Sequence, residues 1–112
     1  MQRDRAIDEA FDYMEHGAAL LEAGDFDSAI EHLQKATALA PELPQTWFHL
    51  GIAYDDSGAF DQAVDSYNRA IRLQRDFPEA WNNLGFAHHQ REAWASNSVS
   101  PDGKSSLPDP VP

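Results

Sequence analysis

Apolar and small residues recur along this chain at the spacing of a helix face. Trp47, Leu50, Gly51 and Tyr54 fall at i, i+3, i+4 and i+7, the period that lines one side of an α-helix. A second stripe follows in Phe60, Ala63, Val64, Tyr67, Ala70 and Ile71. Gly58 between them suits a helix stop, and Pro44 suits a first turn, where its missing N–H costs nothing. Arg69, Arg72 and Arg75 lie toward the end of the second stripe, where cations complement the helix dipole. The same pair of stripes occurs earlier. One helix is expected to begin near Asp4, with Ile7, Phe11 and Met14 on its apolar side. The next is expected from about Phe26 to Leu39, with Asp25 as N-cap and Pro41 just past the end.

The two pairs are copies. Gly17, Gly51 and Gly85 stand 34 residues apart, and the same shift carries Gly24 to Gly58, Phe26 to Phe60 and Ala29 to Ala63. It also carries Ala36 to Ala70, Leu39 to Leu73, Pro44 to Pro78, Trp47 to Trp81 and Leu50 to Leu84. Self-similarity at a fixed period is the mark of a repeat architecture. Within a unit, Gly17 and Gly51 are expected to face Ala29 and Ala63, so that two helix backbones approach closely.

A third unit starts and then stops. Trp81, Leu84 and Gly85 predict its first helix over about 78–91, and Trp94 still stands one period after Phe60. One period after Ala63 comes Asn97, and Ser98, Ser100, Pro101 and Gly103 follow, leaving no apolar stripe. Residues 97–112 are expected to form a disordered Pro/Ser-rich tail. The domain is then 1–96, with units at about 10–43 and 44–77 and the first helix of a third at 78–91. Three readings of the unfinished unit stay open: a shortened cap, a self-association surface built from Leu84, Phe86, Ala87 and Trp94, or a truncated repeat array.

The chain resembles the tetratricopeptide repeat, whose 34-residue helix-turn-helix unit reads W-x2-L-G-x2-Y, then A-x3-F, then P. The second unit carries it in Trp47, Leu50, Gly51, Tyr54, Gly58, Phe60, Ala63, Tyr67 and Ala70, with Arg75 at the usual proline. The first is looser, in Tyr13, His16, Gly17, Leu20, Gly24, Phe26, Ala29, Leu33, Ala36 and Pro41. The resemblance implies an all-α tetratricopeptide-like α-solenoid of about five helices, an interaction scaffold whose first helices line a concave groove. Its groove positions map to Phe11, Met14, Glu15, Ala18, Leu21 and Glu22, then to Gln45, Phe48, His49, Ile52, Asp55 and Asp56. In the third unit they are Glu79, Asn82, Asn83, Phe86, His89 and Gln90. That groove holds five carboxylates and no lysine or arginine.

Co-chaperone members of the family hold a peptide's C-terminal carboxylate with lysine, arginine and asparagine. The corresponding positions here are Met14, Ala18, His49, Glu79 and Asn83, which argues against such a clamp. The expected partner is another protein's apolar segment with Lys or Arg flanks. The alternative is a homo-oligomer formed through the last helix.

Composition narrows the field further. In 112 residues, 19 acidic and 8 basic side chains give a formal charge of −11, which repels nucleic acid and anionic membrane surfaces. There is no cysteine, hence no disulfide framework or thiol nucleophile. No secretory signal or membrane span is visible in the residues, so a cytoplasmic location is expected. His88 and His89 are adjacent and diverge on a helix, "HHQRE" is not H-E-x-x-H, and His16 sits where the repeat packs a residue. Asp55 and Asp56 are consecutive rather than facing, and no Gly-rich phosphate loop or Ser/His/Asp set is recognisable. No catalysis, metal or cofactor is expected.

Overall fold

The computed structural model describes residues 5–99, with side chains through residue 93. Among these are five α-helices: α1 (Arg5–Glu22), α2 (Phe26–Leu39), α3 (Pro44–Asp56), α4 (Phe60–Leu73) and α5 (Pro78–Val99). α1 pairs with α2 and α3 with α4 as antiparallel hairpins, and α5 packs on α4 and α3. α1 touches α3 and α3 touches α5, whereas α2 and α4 stay apart. The odd-numbered helices therefore form the inner, concave layer. No helix among the described residues is long and apolar enough to cross a membrane.

The turns inside the hairpins follow from local sequence. Gly24 and Gly58 have φ of 84° and 88°, a left-handed conformation that only glycine adopts at little cost. Asp25 N–H donates to the Leu20 carbonyl at 2.9 Å, and Gly24 N–H to that of Leu21 at 3.0 Å. Ala59 to Tyr54 and Gly58 to Asp55 repeat the pair at 2.8 and 3.1 Å. Both ends are thus closed as Schellman motifs, which satisfy carbonyls that the helix leaves free. Asp25 then caps α2, its carboxylate accepting from Ser28 N–H at 3.3 Å. Ala59 holds the same place before α4 with no side-chain cap.

Between units, the tryptophans act as pins. The Trp47 indole N–H donates to the Pro41 carbonyl at 2.8 Å, and that of Trp81 to the Arg75 carbonyl at 2.9 Å. The core falls into two main clusters. Ala29, Leu33, Leu50 and Ala53 join α2 to α3, and Val64, Tyr67, Ile71, Ala80, Leu84 and Ala87 join α4 to α5.

Three expectations are corrected. A Cβ on Gly17 would stand 2.6 Å from Leu33, and one on Gly51 would stand 2.6 Å from the Tyr67 ring. The nearest neighbours of the glycines are therefore Leu33 and Tyr67, where Ala29 and Ala63 were expected. His16 is exposed, 6.2 Å from the His32 ring, not packed. Finally, α5 does not end near Arg91. Gly24 and Gly58 are followed, one period on, by Glu92, which has no ready access to the left-handed turn, and the helix continues to Val99. Residues 97–99, expected in the tail, are helical; the rest of that tail lies outside the described residues.

Candidate functional site

The concave layer holds a shallow cleft of about 370 Å³ between α1 and α3, lined by Ala18, Leu21, Glu22, His49, Ile52 and Asp56. These side chains meet because α1 and α3 are successive inner helices, and residues three and four apart share one helix face. Ala18, Leu21 and Ile52 make an aliphatic floor, while Glu22 and Asp56 stand exposed at the rim. The His49 Nδ1–H donates to the Gln45 carbonyl at 2.9 Å. That bond fixes the orientation of the ring at the cleft.

The remaining expected groove residues divide. Glu15, Gln45, Asn82 and His89 are exposed, and Phe86 is 57 % exposed. Phe11 and Met14 are half-buried, Met14 against the core beneath α1. Phe48 is half-buried too, its ring centroid 4.9 Å from Phe77 and 6.0 Å from Tyr67. It supports the groove from below and carries packing as well as any contact.

Asp55 and Asp56 have different surroundings. The Tyr67 hydroxyl donates to the Asp55 carboxylate at 3.2 Å. Burial pushes the Asp55 carboxyl above its usual range, the tyrosine bond opposes the rise, and the neighbouring Asp56 charge adds to it. Burial also raises Asp56. The Tyr67 hydroxyl is pushed up strongly, chiefly by burial and then by the Asp55 charge, while a hydrogen bond from Asn83 works against the shift. The Tyr67–Asp55 bond thus ties α4 to α3 behind the groove. The sequence held a signal for this link. One period earlier stand Leu21 and Leu33, so both positions turn polar together in the second unit.

Of the four residues expected to self-associate, Leu84 and Ala87 are buried against α4. Phe86 is exposed, and the Trp94 side chain lies outside the described residues.

The family model of the TPR repeat matches residues 17–58 and 53–91. The chain belongs to the tetratricopeptide-repeat family. No curated protein sequence matches it. Among solved structures, a crystal structure of MamA is similar at 28 % identity and a TM-score of 0.72, over 75 % of this chain and 49 % of that one. The chain therefore spans about half the length of that MamA. The first TPR of Spaghetti (RPAP3), solved with the HSP90 peptide SRMEEVD, is similar at 23 % identity and a TM-score of 0.73, covering 80 % of this chain and 73 % of that one. The Sgt2 TPR domain from Aspergillus fumigatus is similar at 19 % identity and a TM-score of 0.74, covering 89 % and 68 % respectively. At those identities the last two show the shared fold. Tetratricopeptide repeats are modules of protein–protein interaction.

Proposed function

We propose that this tetratricopeptide-repeat chain is an adaptor that binds an apolar segment with Lys or Arg flanks in the groove of α1, α3 and α5. The observation that carries this reading is the cleft itself: an aliphatic floor of Ala18, Leu21 and Ile52 between the Glu22 and Asp56 carboxylates, with no lysine or arginine among its lining residues. Apolar anchors in such a floor supply affinity, and the rim charge selects and steers the partner. A peptide such as SRMEEVD, held by the RPAP3 domain, is acidic at its end and meets repulsion from this rim.

The test is an array of peptides with one apolar core and either Lys/Arg or Asp/Glu flanks, presented to the immobilised protein. Basic-flanked peptides are expected to be retained and to weaken with salt. The double variant Glu22→Lys, Asp56→Lys is expected to lose them while keeping its helical circular dichroism. Equal retention of acidic flanks overturns the reading. Phe48→Ala is a poor control, because its packing on Phe77 and Tyr67 couples binding to folding. Self-association through α5 is the competing function, and it predicts a size that grows with concentration in sedimentation. A constant size removes it.

A further inference from the structure

α5 carries a second surface, about 100° round the helix from Phe86, where the repeat supplies its own guide to the missing occupant. In α1, Leu33 seats against Gly17 and the Lys35 ammonium lies 5.6 Å from the centre of the Tyr13 ring. In α3, Tyr67 seats against Gly51 and the Arg69 guanidinium lies 4.9 Å from the Trp47 ring. Tyr13 and Trp47 are one period apart, and so are Lys35 and Arg69. The covering helix therefore reads the same way twice, as Ala29-x3-Leu33-x-Lys35-Ala36 and as Ala63-x3-Tyr67-x-Arg69-Ala70.

Trp81 and Gly85 repeat the receiving half of this arrangement. Trp81 is held by the same indole-to-carbonyl bond as Trp47, so its ring is set in place. Yet Trp81 is 52 % exposed, and a Cβ on Gly85 would meet nothing within 4 Å. The covering pattern does not recur one period on in the sequence. α5 continues to Val99, and the alanine, large apolar and cationic places fall on Asn97, Pro101 and Gly103.

We propose that the Trp81–Gly85 face of α5 receives an amphipathic helix of another protein. That helix carries Ala-x3-Leu/Tyr-x-Lys/Arg-Ala and lies on α5 as α4 lies on α3. The large side chain enters the space over Gly85, and the cation covers the Trp81 ring. A net charge of −11 favours a cationic helix over a second copy of this chain, whose own α2 and α4 are already engaged. The proposal goes beyond the groove reading and does not depend on it.

The probe is a synthetic peptide of the α4 sequence, residues 60–74, made cationic by Asp61→Asn and Asp65→Asn, added to the full chain labelled for NMR. Shifts are expected at the Trp81 indole N–H and the Gly85 amide. Gly85→Leu fills an open space, so it should keep the fold while weakening binding by about tenfold or more. The peptide with Arg69→Glu should weaken similarly, and this arm needs no change in the protein. Asp56→Lys in the groove should leave the interaction unchanged. Three results overturn the proposal: no shift up to about 1 mM peptide, shifts confined to Ile52 and Phe86, or the same two resonances moving with protein concentration alone. The last would make a second copy the occupant.

Discussion

Gly51 and Gly85 hold the same place in successive repeats, and their surroundings are opposite. Around Gly51 the fully buried Tyr67 ring occupies the volume a side chain would need. Around Gly85 there is open space. The same letter in the same register is a close-packing requirement in one unit and a vacant seat in the next. A repeat position thus has no fixed meaning until its covering helix is present, because the constraint on glycine comes from the neighbour and not from the helix that carries it.

Alanine at the two glycines separates these cases most sharply. Gly51→Ala forces the Tyr67 ring to move and is expected to destabilise the protein by about 1–3 kcal/mol, the usual cost of overpacking. Gly85→Ala meets no neighbour, so the helical preference for alanine acts alone and should stabilise by about 1 kcal/mol. Urea midpoints of the two variants should therefore move in opposite directions. A fall of similar size in both would mean that Gly85 is also covered.

A smaller effect distinguishes the first two units. Asp25 caps α2, and Ala59 stands uncapped in nearly the same backbone conformation, with φ and ψ of −88° and 73° against −92° and 79°. Ala59→Asp should copy the cap and raise stability by about 0.5–1 kcal/mol, read as a higher thermal midpoint. No gain would show that the new carboxylate fails to reach the N–H groups of α4.

The smallest expected effect lies behind the groove. The Asp55 carboxyl is raised in the folded state, so folding favours its protonated form. Its contribution is therefore present at low pH and is lost as pH rises from the ordinary value of 3.8 through the raised one. Asp55→Asn keeps an acceptor for the Tyr67 hydroxyl and removes the charge. The variant should be slightly more stable than the parent at neutral pH, and the difference should shrink as pH falls toward 3.8. Urea titrations at several pH values check it; a gap that widens on acidification would contradict the assigned direction.

Much of the fold was legible in the residues, because its signals are local. The helices α1 to α4, the left-handed stops at Gly24 and Gly58, the Asp25 cap and the opening Pro44 all depend on residues a few positions apart. The length of α5 was misjudged, because the glutamate that stands where the other units have glycine was not weighed as the loss of a stop. The candidate site was less legible. Phe48 and Phe86 both lie on inner helices, but Phe77 and Tyr67 pack on Phe48 whereas Phe86 is exposed. Asp55 and Asp56 are adjacent, yet one ties helices together while the other lines the cleft.

By itself, then, the sequence determined a 34-residue helical repeat and its turns, since periodicity and glycine stereochemistry act over short stretches. Only the tertiary structure decided that Gly17 and Gly51 seat Leu33 and Tyr67, that Asp55 meets the Tyr67 hydroxyl, and that Gly85 lies open among the described residues. Those depend on how far apart two helices come to rest, and that distance is set jointly by every side chain between them.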